Sequence, residues 1–156
     1  MKYVLLVVVI ALAVFFFMKN SNNEKAAIEN KAIAEDFLTH NKMVETVIET
    51  ASGLQYQVLQ KGEGTEYPTP SSKVKVHYHG TLLDGTVFDS SVDRNDPISF
   101  GLNQVISGWT EGVQLMVVGD KFKFFIPAEL GYGNRSTGKI THGSLLMFEV
   151  TLLEIQ

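Results

Sequence analysis

The sequence predicts an α+β fold in which an antiparallel half-barrel sheet wraps around one short helix, preceded by an N-terminal membrane helix and a helical linker. Three observations support this prediction. The 156-residue chain begins with an unbroken apolar run, continues with apolar residues at helical spacing among charges, and from Gly53 onward alternates apolar and polar residues at the period of a strand. We therefore expect a membrane anchor or uncleaved signal at residues 1–19, a helical linker at 20–50 and one globular domain at 51–156.

The N-terminal segment is apolar from Tyr3 to Met18, between Lys2 and Lys19. An exposed helix in water does not tolerate such a run, so we expect it to enter a membrane. At about 1.5 Å per residue it falls slightly short of a ~30 Å hydrocarbon core. Cleavage after the small residues 11–13 would leave the apolar sequence VFFF at the mature end, so an uncleaved anchor is favoured.

Two patterns disagree about the side of the membrane on which the domain lies. A count of positive residues places it in the cytoplasm, because Lys19, Lys25 and Lys31 follow the apolar run and only Lys2 and the amino terminus precede it. A very short basic head before an apolar run is, however, typical of a bacterial signal anchor. We expect a single-pass anchor in the bacterial inner membrane with the domain on the periplasmic side.

Residues 20–23 (NSNN) predict a polar break, after which residues 24–49 show helical spacing. The apolar positions, among them Ala27, Ala34 and Phe37, form only a narrow stripe. A narrow stripe favours a solvated spacer over a dimerisation helix.

The domain is predicted to contain several antiparallel strands and one helix. Residues 54–58 alternate apolar side chains with glutamines, and residues 73–83 place Val74, Val76 and Tyr78 on one face and charged or histidine side chains on the other. The further predicted elements are a hairpin turn at Asp84–Gly85, a strand at 97–102, a helix at 105–116, and strands at 120–127 and 144–156 separated by a loop at 128–143.

Composition excludes several classes of function. The net charge is −4 and no long basic run occurs, so we expect no nucleic-acid partner. The absence of cysteine removes disulfides, thiol chemistry and cysteine-ligated metals. No nucleophile motif is present, and His77 and His79 have no third ligand at convincing spacing, so we expect neither a metal nor another cofactor.

The domain has an excess of aromatic residues beside glycines and loop residues. For any one of them, core packing is the more common role, because aromatic rings bury a large area wherever they lie. Two features favour a binding pocket instead. Trp109 follows Ser107-Gly108 at the start of the predicted helix, where a large ring can form the floor of a cavity. Asp89 directly follows a strand residue, where a carboxylate either accepts a hydrogen bond from the loop or lines a pocket rim.

Five segments then occur in the order and spacing of a known family. They are 76–80 (VHYHG), 85–91 (GTVFDSS), 105–113 (VISGWTEGV), 126–127 with 130–133 (IP and LGYG), and 146–150 (LMFEV). With these segments the chain resembles the FKBP-type peptidyl-prolyl cis–trans isomerases from Ser52 to Gln156. Residues 50–56 (TASGLQY) resemble the start of the domain in bacterial members with an N-terminal extension, similar to the macrophage-infectivity-potentiator group.

The resemblance implies a non-covalent, metal-free site that accelerates rotation about X–Pro bonds in proline-containing polypeptides and so assists folding, and it makes immunosuppressive macrolides candidate ligands. It implies that Trp109 is the pocket floor, that the Ile106 N–H and the Tyr132 hydroxyl hold substrate carbonyls, and that Asp89 lies beside the rotating bond. The resemblance assigns catalysis to Asp89, Tyr132 and Ile106, and substrate binding to Tyr78, Phe88, Phe100, Val105, Trp109, Ile140 and Phe148.

Two departures from the family pattern concern the pocket. Ile98 stands where many members carry an aromatic residue, and Thr141-His142 replaces a pair of prolines often found after the loop isoleucine. They leave open a second class of function, a non-catalytic chaperone or proline-segment binding module. A third alternative is a structural domain in which the aromatic residues form only the core.

Overall fold

The computed structural model describes residues 2–156, with side chains from residue 7 onward. The fold is α+β, with a long N-terminal helix and an antiparallel sheet. The helices are α1 (Lys2–Asn41) and α2 (Ser107–Val113), and 3-10 turns span Leu102–Gln104 and Ala128–Leu130. The strands are β1 (Val47–Glu49), β2 (Gln55–Gln60), β3 (Lys73–Thr81), β4 (Val87–Ser90), β5 (Ile98–Gly101), β6 (Lys121–Ile126) and β7 (Leu146–Ile155).

The sheet has the strand order β1-β2-β6-β7-β3-β4, and β5 pairs with the first half of β3. Every pairing is antiparallel. Along β3 the side chains of Val74, Val76 and Tyr78 are buried and their neighbours are partly exposed, which is the alternation that the sequence predicts. One face of the sheet thus carries the core.

Helix α2 lies close to β6 because two of its residues are glycines. A Cβ at Gly108 would lie 2.7 Å from Ile126 Cγ2, and one at Gly112 would lie 2.6 Å from Phe124 Cε1. The approach buries Trp109 and Val113 in the core. The helix ends earlier than predicted, at Val113.

Helix α1 is continuous over 40 residues. Residues 20–23 are helical, so the predicted polar break is wrong. From Val7 to Met18 the helix exposes its apolar side chains, with Phe16 and Phe17 at 76% and 77% exposure, whereas Ala27 and Ala34 in the second half are buried against the domain. Within the described residues, no helix combines the length and apolar character needed to cross a membrane.

The predicted helical linker at 20–50 is wrong in its last part. The chain leaves the helix after Asn41, and Val47–Glu49 form strand β1, which pairs with β2 through Ile48 and Tyr56. The linker also docks on the domain, where the favoured expectation was a solvated spacer. The Phe37 ring lies 5.8 Å from that of Phe125, and the fully buried Gln55 donates from Nε2 to the Leu38 carbonyl at 2.9 Å.

Candidate functional site

A cavity of about 630 Å³ opens between α2, β3, β5 and the loop that joins β6 to β7. Apolar and aromatic side chains form most of its wall, with a few polar groups near them. Its lining comprises Tyr78, Asp89, Ile98, Phe100, Gln104, Val105, Ile106, Ser107, Trp109, Gly131, Tyr132, Arg135 and Phe148.

Trp109 lies among three other aromatic rings. Tyr78, Phe100 and Phe148 form T-shaped pairs with it at centroid distances of 5.5, 5.3 and 5.2 Å, with interplanar angles of 83°, 62° and 89°. Edge-to-face contacts at these distances are favourable, since the positive edge of one ring meets the negative face of another. Trp109 is only 5% exposed, so its orientation is fixed by packing before any ligand binds.

A polar cluster of Tyr78, Asp89 and Arg94 forms one edge of the pocket. The Tyr78 hydroxyl donates to Asp89 Oδ2 at 2.5 Å and accepts from Arg94 Nη2 at 3.0 Å, while Arg94 Nη1 donates to Asp89 Oδ1. The guanidinium also lies 5.9 Å from the centroid of the Tyr78 ring. The three side chains therefore hold one another in place.

The cluster keeps Asp89 ionised. Partial burial acts to raise the pKa of the Asp89 carboxyl, but hydrogen bonds from Tyr78 and Arg94 outweigh it and the pKa is lowered overall. Burial, reinforced by the hydrogen bond to Asp89, raises the pKa of the Tyr78 hydroxyl. The hydrogen bonds to Tyr78 and Asp89 raise the pKa of Arg94 further above its ordinary value. A fixed negative charge consequently lies at the pocket edge at neutral pH.

Serine and histidine side chains fix the strand that carries Asp89. The Tyr78 N–H donates to Ser91 Oγ at 2.7 Å, and His77 Nδ1 lies 2.9 Å from the same oxygen. His79 Nδ1 lies 2.8 Å from Ser90 Oγ. The two histidines thus join β3 to the end of β4.

Ile106 and Tyr132 line the pocket from two loops. Ile106 directly precedes α2, and its carbonyl accepts hydrogen bonds from the N–H groups of Trp109 and Thr110. Its own N–H has no hydrogen-bond acceptor among the described residues. The same holds for the Tyr132 hydroxyl, since no described residue lies within hydrogen-bonding geometry of it. Two donors are thus available beside the aromatic floor.

The structure brings together eight of the ten residues that the sequence singled out. Phe88 and Ile140 do not line the cavity. Phe88 packs edge-on behind Phe148 at 5.2 Å, and Ile140 is buried in the hydrophobic core. The residues in the cavity wall are Asp89, Tyr132, Ile106, Tyr78, Phe100, Val105, Trp109 and Phe148.

Sequence reasoning missed several polar residues of the site. Gln104, Ser107 and Arg135 line the cavity, and Arg94 binds Asp89 beside it. Arg94 lies in the turn after β4, where no periodic pattern marks a side chain. The one available signal was an arginine five positions after a pocket carboxylate, close enough to fold back onto it.

Two family models match the chain. The model for the FKBP-type peptidyl-prolyl cis-trans isomerase matches residues 64–153, which include the whole cavity wall. A model for the domain amino terminal to the FKBP-type peptidyl-prolyl isomerase matches residues 9–58.

The chain is also similar to several bacterial proteins. It is 55% identical over 133 residues to the FKBP-type peptidyl-prolyl cis-trans isomerase FkpA of Aeromonas hydrophila, covering 85% of this chain and 49% of the relative. It is 51% identical over 120 residues to the FKBP-type 22 kDa isomerase of Escherichia coli K12, covering 76% and 58%. It is 44% identical over 133 residues to the outer membrane protein MIP of Legionella longbeachae, covering 85% and 57%.

A solved structure agrees with this relationship. The crystal structure of FkpA from Escherichia coli superposes with a TM-score of 0.85 at 38% identity, covering 94% of this chain and 71% of that one. The chain spans about half the length of the curated relatives that it matches. On the match to residues 64–153 and these identities, the chain belongs to the FKBP-type peptidyl-prolyl cis–trans isomerase family.

Proposed function

We propose that residues 51–156 form an isomerase domain that accelerates cis–trans rotation about X–Pro bonds in polypeptides. The observation that carries this proposal is the buried Trp109 floor, held in T-shaped pairs with three aromatic rings and flanked by the Tyr78–Asp89–Arg94 cluster. A proline ring is compact and apolar, and a rigid aromatic floor offers it a flat contact surface.

The reaction needs no bond to break. Rotation about an X–Pro bond is slow because resonance gives the C–N bond partial double-bond character, with a barrier of ~18–20 kcal/mol. A site lowers that barrier only if it binds the twisted amide better than either planar form. The planar form carries more charge separation, so a pocket wall of aromatic side chains favours the twisted one.

In this mechanism the polar groups act on the chain around the proline. The Ile106 N–H and the Tyr132 hydroxyl donate to substrate carbonyls and hold the flanking backbone while the amide rotates. Asp89 stays ionised and acts electrostatically on the rotating amide from the pocket edge, because Tyr78 and Arg94 fix its carboxylate. Phe88 and Ile140 support the wall from behind and are not expected to contact the substrate.

The test is an isomerisation assay of the full chain on short X–Pro peptides, by NMR exchange or protease coupling. We expect Asp89→Ala and Tyr132→Phe each to lower kcat/KM about tenfold, the effect of losing one interaction worth roughly 1.4 kcal/mol in the transition state. Asp96→Ala and Tyr67→Phe change exposed residues of the same types and serve as controls.

The outcomes separate the alternatives. Peptide binding without acceleration would support a non-catalytic binding module, and no binding at all would support a domain whose aromatic residues are only core. If both variants kept full activity, the roles given to Asp89 and Tyr132 would be wrong. Competition of a macrolide with the peptide, followed by the fluorescence of Trp109, the only tryptophan, tests the further proposal that macrolides occupy this pocket.

We also propose that the N-terminal apolar segment attaches the protein to a membrane of the bacterial cell envelope. Its support is the exposure of Val7, Phe15, Phe16 and Met18 on a helix surface that no other part of the described chain covers. The name of the Legionella relative, an outer membrane protein, supports an envelope location. The domain is proposed to lie on the periplasmic side.

Vesicle flotation tests membrane attachment. The full chain should float with lipid vesicles, and a Phe15→Ser, Phe16→Ser variant should not. Ile28→Ser removes an exposed apolar residue outside the segment and is the control. Equal flotation of all three proteins would exclude this segment as the anchor, and protease accessibility in intact cells with a permeabilised outer membrane then tests the side.

A further inference from the structure

We propose that helix α1 positions one wall of the pocket, and that Asn30 is the residue through which it does so. The positioning of the wall by α1 is argued from contacts within the chain. Its effect on substrate binding rests on the proposed function. The wall concerned is the pocket loop, residues 127–145, which joins β6 to β7 and carries Gly131 and Tyr132 into the cavity.

Asn30 holds the C-terminal end of the pocket loop. Its Nδ2 donates to the His142 carbonyl at 2.7 Å and lies 3.2 Å from Thr141 Oγ1. The two contacts join residues more than 110 positions apart in the chain. Thr141 and His142 occupy the positions where the resemblance leads one to expect two prolines. Proline rings would stiffen this segment, and in their absence a side chain of α1 holds it in place.

Close backbone packing adds to this contact. Gly143 has φ of +71° and lies against α1, since a Cβ there would be 2.5 Å from the Ala27 carbonyl oxygen and 3.0 Å from its Cα. Ala27 is buried at this junction, and Ala34, two turns further along the helix, is buried as well. Only small residues on both sides permit such an approach, so the helix backbone itself contacts the loop.

The helix also contacts the N-terminal end of the pocket loop. Lys31, next to Asn30, places Nζ 3.7 Å from Glu129 Oε1 in the 3-10 turn Ala128–Leu130. Both side chains are well exposed, so this pair contributes little by itself. It shows nevertheless that one turn of α1 spans the loop from end to end.

Backbone hydrogen bonds connect these contacts to Tyr132. The Gly143 N–H donates to the Gly133 carbonyl at 3.0 Å, and the Gly133 N–H donates to the Ala128 carbonyl at 2.8 Å. These two hydrogen bonds join the two ends of the pocket loop to Gly133, the residue directly after Tyr132. Releasing His142 and Gly143 from α1 loosens this connection and allows the Tyr132 hydroxyl to move relative to the Trp109 floor. Asn30 is in this sense a positioning residue.

The decisive variant is Asn30→Asp in the full chain. Aspartate has almost the shape of asparagine but no N–H, so it presents an acceptor to the His142 carbonyl. Asn22→Asp makes the same change of charge at an exposed position of the same helix and is the matched control. Gly143→Ala is a second, independent variant, because its Cβ would push the loop away from Ala27.

Hydrogen exchange and ligand binding give separate readouts. In Asn30→Asp we expect the amide of Gly143 to exchange roughly three- to tenfold faster, while amides of the central strand β3 keep their protection. We expect the Kd of an acetylated Ala-Leu-Pro-Phe amide, measured by Trp109 fluorescence, to rise by a similar factor. Asn22→Asp should change neither quantity.

The outcomes distinguish this inference from the proposed function. Unchanged exchange of the amide of residue 143 in both Asn30→Asp and Gly143→Ala, after allowance for the intrinsic rate of alanine, would overturn the positioning by α1, as would faster exchange with an unaltered Kd. A lower Tm with normal Kd and exchange would make Asn30 merely structural, which also overturns it. If the unsubstituted chain binds the peptide but does not isomerise it, the proposed function fails while the loop and Kd readouts still decide this inference.

Discussion

Replacing Tyr78 by phenylalanine removes one hydroxyl from the polar edge of the pocket and leaves the ring in place. The hydroxyl donates to Asp89 Oδ2 at 2.5 Å and accepts from Arg94 Nη2 at 3.0 Å. The ring meets Trp109 edge-on at 5.5 Å, a contact that phenylalanine keeps. The substitution therefore separates the hydrogen bonds from the aromatic packing.

The expected loss of stability depends on how exposed the acceptor, the Asp89 carboxylate, is to water. A hydrogen bond to a charged group contributes about 1.5–3 kcal/mol when both partners are well shielded. The Asp89 side chain is 45% exposed, and water screens its charge. We therefore expect Tyr78→Phe to lower the free energy of unfolding by about 1 kcal/mol at pH 7.

The loss should depend on pH in a defined direction. Burial opposes ionisation of Asp89, but the hydrogen bonds from Tyr78 and Arg94 keep its pKa below the ordinary value of 3.8. A carboxyl group with a lowered pKa stabilises the fold above its unfolded pKa, and that stabilisation is lost as the pH falls through its folded pKa. Without the Tyr78 hydroxyl the pKa returns towards 3.8, so the difference between the two proteins is full above about pH 5 and shrinks below about pH 4.

Urea denaturation followed by Trp109 fluorescence measures this difference at pH 7 and near pH 3.5. Tyr67→Phe, which removes a hydroxyl from an exposed tyrosine, is the control and should change stability at neither pH. A loss of stability in Tyr78→Phe that is equal at both pH values would refute the coupling to the Asp89 charge. No loss at pH 7 would refute the hydrogen bond itself as a stabilising contact.

Two further substitutions test packing away from the polar edge. Gly80→Ala would place a Cβ 2.7 Å from Phe88 Cζ and 2.8 Å from Phe148 Cε1. Overpacking of this kind costs roughly 1–3 kcal/mol, so thermal denaturation should show a lower Tm. An unchanged Tm would contradict the close packing of Gly80 against these two rings. Gln55→Ala removes a fully buried donor to a carbonyl of α1, and urea denaturation should show a free energy of unfolding that is lower by about 1–3 kcal/mol. The control Gln60→Ala changes an exposed glutamine and should leave the free energy of unfolding almost unchanged. Equal losses in the two variants would show that the buried contact is not stabilising.

The strands of the domain were predictable because their burial repeats along the chain. In β3 the alternation of Val74, Val76 and Tyr78 with polar residues predicts both the strand and the face that is buried. Strand β1 has only three residues, Val47–Glu49, which is too short to show a period. It forms because Ile48 meets Tyr56 at the free edge of β2, a long-range pairing that a local pattern does not contain.

The continuous helix α1 was missed for an energetic reason. Asparagine and serine at residues 20–23 lower helix propensity by only about 0.7 kcal/mol or less per residue relative to alanine. Helix formation is cooperative, so residues 20–23 stay helical because they lie between an apolar helical segment and a helical segment that docks on the domain. Arg94 was missed for a geometric reason, because its contact with Asp89 depends on the shape of the turn after β4.

The continuity of α1 changes what the N-terminal segment does for the pocket. A flexible linker would let the domain turn freely beneath its anchor, and the pocket would then sample every direction. Here the helix that exposes Phe16 also contacts the pocket loop through Asn30, fourteen residues or about 21 Å further along at ~1.5 Å per residue. If a membrane holds the apolar half, as proposed, the docking of Ala27 and Ala34 ties the orientation of the domain to that of the continuous helix. The opening beside Trp109 then keeps a defined direction relative to the axis of α1.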